Sequence, residues 1–138
     1  MKSLVTLIKL QKTYVDEQRV VLAKLQEQLQ TIEDKIVAQH VLQEQQKELL
    51  HENPDMGLTY GDFLEQQLKK KEALEKEKGV MEYAIELALD KLAGLFEEQK
   101  RYEIAQQQRE EEEKRIEADR ETKILDEVGS VSFVRKEG

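Results

Sequence analysis

The chain has 138 residues, a formal net charge of -8 and 38% charged residues, with three Phe, four Tyr, no Trp and no Cys. That is the length of one domain, yet a chain so charged and so poor in aromatics cannot bury a globular core typical of its size. The missing cysteine excludes a disulfide scaffold, a zinc ribbon and a thiol nucleophile, and the acidic balance speaks against a dedicated nucleic-acid binder, whose phosphate contacts need concentrated Lys and Arg.

The opening, MKSLVTLIKLQKTY, starts basic and apolar like a secretory signal, but Lys9 and Lys12 break the run too soon and no small-residue cleavage site follows. No stretch approaches the roughly 20 apolar residues of a bilayer span, so direct membrane insertion is not expected. Ser3 is a suitable N-cap for a first helix over about 3–52. An apolar stripe follows it through Leu4, Leu7, Tyr14, Val21, Leu25, Leu29, Ile32 and Ile36. Two successive steps of four, Val21 to Leu25 to Leu29, read as a stutter. After Ile36 the stripe passes to Gln39 and Gln43, while Ile8, Val15, Leu22, Val41, Leu42 and Leu50 lie off it.

Pro54, the only proline, ends this helix, because the residue before a proline is pushed out of the α region. A turn is expected over 53–59. Thr59 with Asp62 forms a pattern like a capping box, and Leu58 with Phe63 occupies the positions of a hydrophobic staple. A second helix over about 60–127 then carries a seam with steps of three and four. It runs through Leu64, Gln67, Lys71, Leu74, Lys78, Met81, Ile85, Ala88, Leu92, Leu95, Gln99, Tyr102, Gln106, Arg109 and Ile116.

The fold class expected is all-α: a long two-helix antiparallel coiled-coil hairpin forming a single domain over 1–138. Folding at residue 56 would set Leu25 near Leu87, Ile32 near Val80 and Leu4 near Gln108. Gly94, close to Ala84, Ala88 and Ala93, reads as a point where the helices approach. Beyond residue 108 the second helix has no partner in the chain and overhangs. Its run REEEEKRIEADRETK has Ile116 nearly alone as an apolar residue, and pairs such as Glu110 with Lys114, Glu111 with Arg115 and Asp119 with Lys123 add a few tenths of a kcal/mol each. Gly129 is expected to stop the helix, leaving a tail over 128–138.

Catalytic chemistry finds little support. Glu48 and His51 share a helical face, but a di-iron bundle needs two such motifs and two further glutamates. No phosphate loop or nucleophile elbow is present, and carboxylates standing in water have nothing to tune them for acid–base work. Neither an enzyme nor a cofactor is expected. Lys69-Lys70-Lys71, flanked by glutamates, reads first as a solvated face and second as a contact for an acidic partner or anionic lipid.

The opening MKSLVTLIKLQK, the turn NPDMGLTYGDF, the long second helix and the close ILDEVGSVSFVRK together resemble the flagellar export protein FliJ and the type III secretion stalk (YscO-like) family over nearly the whole chain. The resemblance implies a non-enzymatic stalk at the cytoplasmic face of the inner membrane, held there through partners. Those partners are the export ATPase hexamer, the cytoplasmic domain of the export gate protein and the export chaperones. It further implies ATPase-ring contacts at Leu4, Leu7, Lys9 and Lys12 on one arm and at Leu125, Asp126, Phe133 and Arg135 on the other. Export-gate contacts fall at Phe63, Leu64, Gln67 and Leu68. Two other readings use the same helices: a holdase of the prefoldin kind, or a generic coiled coil pairing through Val20, Leu22, Val41, Leu42 and Leu89.

Overall fold

A computed structural model of the chain describes residues 3–137, and their side chains as far as Val131. Two α-helices, α1 (Leu4–Glu52, 49 residues) and α2 (Gly57–Glu137, 81 residues), are joined by one 3₁₀ turn, Pro54–Met56. There is no strand among the described residues. The composition explains this: Leu, Glu, Gln, Lys and Ala dominate both segments, and these carry the smallest helix penalties. At the start of α1 the Ser3 carbonyl accepts the Thr6 and Leu7 amides at 3.0 and 3.3 Å.

The turn is tighter than expected. The Asn53 amide bonds the Leu49 carbonyl at 2.9 Å, Pro54 opens the 3₁₀ turn, and the Met56 amide closes on Asn53 at 3.1 Å. Proline suits that first position because the amide it lacks would have had no helical partner. α2 then starts directly at Gly57, so the expected turn over 53–59 loses its second half. Thr59 is therefore no cap but a residue of the first turn of α2, its hydroxyl donating to the Met56 carbonyl at 2.9 Å. The staple is absent too, since Leu58 is 92% exposed. At the far end Gly129 does not stop α2, which continues to Glu137 where 127 was expected. A glycine terminates a helix by turning left-handed, and no described glycine has positive φ.

The contacts divide the chain into two compact units, Tyr14–Gly94 and Met1–Thr13 with Leu95–Gly138. In the first, Gln18 donates its amide to the Ala88 carbonyl at 3.1 Å, and Gln39 donates to that of Gln67. Rising numbers on α1 thus meet falling numbers on α2. The register departs from the expected one: a fold at residue 56 would set Gln18 near Gly94, but the shorter turn sets it against Ala88. Leu87 and Val80, the expected partners of Leu25 and Ile32, stand 51% and 70% exposed. Gly94 makes no close approach either, because a Cβ built there meets nothing within 4 Å.

Inside this unit α1 contributes Val15, Gln18, Leu22, Leu25, Leu29, Ile32, Ile36, Gln39, Gln43, Gln46 and Leu50, all buried or half-buried. The steps are three and four throughout, so the expected stutter does not exist. Tyr14 and Val21 point outward, and Val15 and Leu22 take their places. α2 contributes Tyr60, Phe63, Gln67, Leu74, Lys78, Met81, Ala84, Ile85, Ala88 and Leu92, matching the expected seam except that Leu64 and Lys71 are exposed.

The buried glutamines have a common physical logic. A carbonyl oxygen has two lone pairs, one used by its own helix and one free for a second donor. Gln18 and Gln39 fill that second site from the opposite helix, which ties the register to particular residues. Gln67 is the exception: it is 4% exposed and its side-chain oxygen has no partner. A buried unpaired acceptor costs about 1–3 kcal/mol. Gln67→Leu is accordingly expected to raise the thermal midpoint followed by circular dichroism, since the Gln39 bond goes to the backbone of residue 67 and survives. Gln39→Ala is expected to lower it. The reverse order would contradict this account of the polar interior.

The other unit repeats the pattern over a shorter distance. Leu4, Ile8 and Gln11 of α1 face Leu95, Gln99, Tyr102 and Gln106 of α2, and Gln11 donates to the Leu95 carbonyl at 3.0 Å. From residue 107 to 131 every side chain of α2 is exposed, Arg109 and Ile116 among them.

Candidate functional site

Two surfaces, one in each unit, present what an interaction site needs. The first surrounds the turn. The tight 3₁₀ passage brings Met56, Thr59, Tyr60 and Phe63 against the last residues of α1, and together with Gln46, Leu49 and Leu50 they line a cavity of about 140 Å³. The rings of Tyr60 and Phe63, one helical turn apart, stack with centroids at 6.2 Å and planes at 27°. Leu64 and Leu68, the next turn on, expose 41% and 56% of their surface. Among the four residues assigned to the gate by resemblance, Leu64 and Leu68 offer apolar surface and Phe63 forms part of the cavity wall. Gln67 is interior. Tyr60, Met56 and Leu49 belong to the same surface but were not singled out from sequence, although a Tyr and a Phe three apart are a readable signal.

The second surface is the exposed length of α2. Ile116, Ile124, Val128 and Val131 fall within about 120° of arc at 100° per residue, so Ile116 is not alone as the sequence suggested. Ile116 and Ile124 line a shallow groove with Glu113, Glu117, Arg120 and Glu121. Leu125 and Asp126 are exposed nearby. The side chains of Phe133 and Arg135 lie outside the described residues. On α1 Leu4 is half-buried, while Leu7, Lys9 and Lys12 are exposed. The Gln11–Leu95 bond sets Leu4 alongside Tyr102, one heptad further on each helix. Leu125 therefore lies about 35 Å beyond the start of α1 at 1.5 Å per residue, and the two groups assigned to the ring are not brought together.

The charges on this segment are arranged differently from the expected pairs. Arg115 bonds Glu112 at 2.6 Å and Asp119 at 3.4 Å, instead of Glu111. This fork holds the Glu112 carboxyl below its ordinary range and raises Arg115, through the hydrogen bond first and the opposite charges second. Glu110 and Glu111 accept from Gln106 and Gln107 at 3.4 Å. Tyr102 donates to Glu98 at 2.9 Å, and that bond raises its phenol pKa by favouring the protonated form. All are partners one turn apart in water, which support the helix and leave its surface free.

Glu48 and His51 line a shallow groove on α1 with Glu44, Lys47 and Glu52. Among the described residues no three His, Cys, Asp or Glu side chains are grouped so as to hold a metal ion, and no helix is long and apolar enough to cross a membrane. No protein-family model, curated protein or solved structure matches the chain.

Proposed function

We propose that the chain is an antiparallel two-helix coiled-coil hairpin with an overhanging α2, and that it acts as a non-enzymatic stalk and adaptor of a type III protein export apparatus of the FliJ kind. The observation that carries this reading is the stretch 107–131, exposed on every side although four of its five large apolar residues, Ile116, Ile124, Val128 and Val131, keep to one arc, with Leu125 about 60° outside it at 100° per residue. A helix that is charged all round and still carries an apolar line is suited to a partner that encloses it. Inward positions recurring by three and four supply the knobs of a coiled coil, which is the rigid body a stalk requires. The resemblance in the opening, the turn and the close names the partners: the overhang enters the export ATPase hexamer, the turn surface meets the cytoplasmic domain of the export gate, and export chaperones are handled along the way. The chain then works at the cytoplasmic face of the inner membrane without entering it.

Purified full-length chain should form a complex with the ATPase hexamer and, separately, with the gate's cytoplasmic domain, both resolved by size-exclusion chromatography with light scattering. The ring complex should hydrolyse ATP faster than the ring alone. Failure to bind either partner while the chain remains folded would end the stalk reading.

A further inference from the structure

The unit Tyr14–Gly94 has two flanks of opposite character on either side of the α1–α2 contact. Two concavities identify them. One groups Leu49 of α1 with Phe63 of α2, and the other groups Val37 and His40 of α1 with Glu75 of α2. Heptad spacing extends each flank along the unit. From Leu49 the first flank runs back through Leu42, Lys35, Gln28, Val21 and Tyr14, at multiples of seven. From Phe63 it runs forward through Lys70, Glu77, Ala84 and Lys91, with Val80 and Leu87 beside Ala84. The second flank carries Asp16, Glu33 and Glu44 on α1 and Glu72, Glu75, Glu82 and Glu86 on α2, against the cations Arg19 and Lys47.

The part of the first flank farthest from the turn is an uncovered apolar strip. Val21 stands level with Ala84 and Tyr14 level with Lys91, with Leu87 between them and Val80 one turn beyond Ala84; of the apolar residues all but the half-buried Ala84 are exposed. Its rim is cationic. Lys35 and Lys70 face each other one turn from the Gln39–Gln67 bond, a like-charged pair across the contact, and Lys24 and Lys91 flank the strip. None of the four has a carboxylate within 4.0 Å among the described residues. The flank's carboxylates, Glu17, Glu77 and Glu52, are outnumbered by these lysines in a chain whose net charge is -8.

We propose that this flank is a docking groove for a third helix supplied by a protein partner, an amphipathic helix with acidic edges. The period of seven along both walls fits an occupant that is itself helical and lies along α1 and α2, because only such a helix meets every apolar position in turn. The unpaired lysines fit acidic edges, and the glutamates of the opposite flank would repel them. The flank begins at Leu49 and Phe63 of the turn surface, but its apolar strip of Tyr14, Val21, Val80 and Leu87 is apart from the turn and from 107–131, and the proposal stands whether or not the export reading does.

The test uses the full-length chain and two synthetic helical peptides of about three heptads. Both carry Leu on the seam; one has Glu and the other Lys at the flanking positions. Bulk charge alone would favour the Lys peptide, so at near-physiological salt, where the screening length is about 8 Å, binding of the Glu peptide reports the local groove. In fluorescence anisotropy the Glu peptide is expected to bind. Val80→Asp with Leu87→Asp should weaken it at least tenfold, and Lys35→Glu with Lys70→Glu should weaken it several-fold. Val80 and Leu87 are exposed, so circular dichroism should be unchanged in both variants. The proposal is overturned if the Glu peptide does not bind, or if it binds both variants as it binds the parent. It is also overturned if sedimentation shows a dimer that Val80→Asp with Leu87→Asp dissociates, because the occupant would then be a second copy.

Discussion

If the chain is the stalk proposed above, deletion of residues 124–138 is expected to abolish stimulation of the export ATPase while the α1–α2 contact is kept. The described residues it removes, 124 to 131, are all exposed, so no interior position is lost. The inward face ends at Gln106, well before the cut. What goes is the apolar line formed by Ile124, Val128 and Val131, together with Leu125 at 70% exposure. Truncating a central apolar anchor at an interface costs about 2 kcal/mol or more, so even if only two of these four are anchors, ring binding should weaken by roughly several hundredfold or more. Hydrolysis measured against increasing concentrations of truncated chain should stay at the level of the ring alone. Circular dichroism should fall only by the share of helix removed. Undiminished stimulation would take this segment out of the mechanism, and melting at a much lower temperature would make it structural.

The two-helix content was legible because propensity, the single proline and a persistent three-four spacing agree with one another. For α2 the agreement extends to individual residues: from Leu74 to Gln106 nearly every expected seam position is inward. The uncovered stretch beyond was legible as well, since REEEEKRIEADRETK offers too little apolar surface to bury. Its apolar line was legible only in part: Ile116 and Ile124 fall inside the expected helix, but Val128 and Val131 join their face because α2 runs on through Gly129. That depends on a backbone angle, which composition does not reveal.

The N-terminal half of α1 was misread for a different reason. A search for apolar residues alone finds Leu7, Tyr14 and Val21 and takes them for the interior. The inward line runs instead through Ile8, Gln11, Val15, Gln18 and Leu22, where two of five positions are amides. Those amides are inside because carbonyls of α2 receive them, a pairing that requires the register to be known first. The register in turn follows from the turn, and the turn looked longer than it is because Thr59 and Asp62 imitate a helix start. Once the amides are placed inside, Tyr14 and Val21 become a flank, which is why the apolar strip opposite Val80 and Leu87 emerges only from the fold.

Binding to the gate's cytoplasmic domain should fall at least tenfold when Leu64 and Leu68 are both replaced by Ala, with the melting temperature almost unchanged. Both side chains are exposed one turn apart and neither lines the turn cavity, Leu68 bordering a shallow groove with Lys71, Glu72, Glu75 and Lys76, so neither removal opens a void, and apolar anchors rimmed by charge supply most of the energy at interfaces. Phe63→Ala should behave differently. Phe63 is half-buried, stacks on Tyr60 and walls the cavity, so its loss combines transfer and packing costs and should destabilise by about 2 kcal/mol. The stacked pair is far from Leu25, Leu29, Met81 and Ile85, and the chain should still fold around them. Calorimetric titration with the gate domain, run below each variant's melting transition, separates the two effects. If the Leu64 and Leu68 variant binds like the parent while Phe63→Ala binds weakly, the gate reads the cavity and its aromatic wall, and the exposed leucines have no part in the contact.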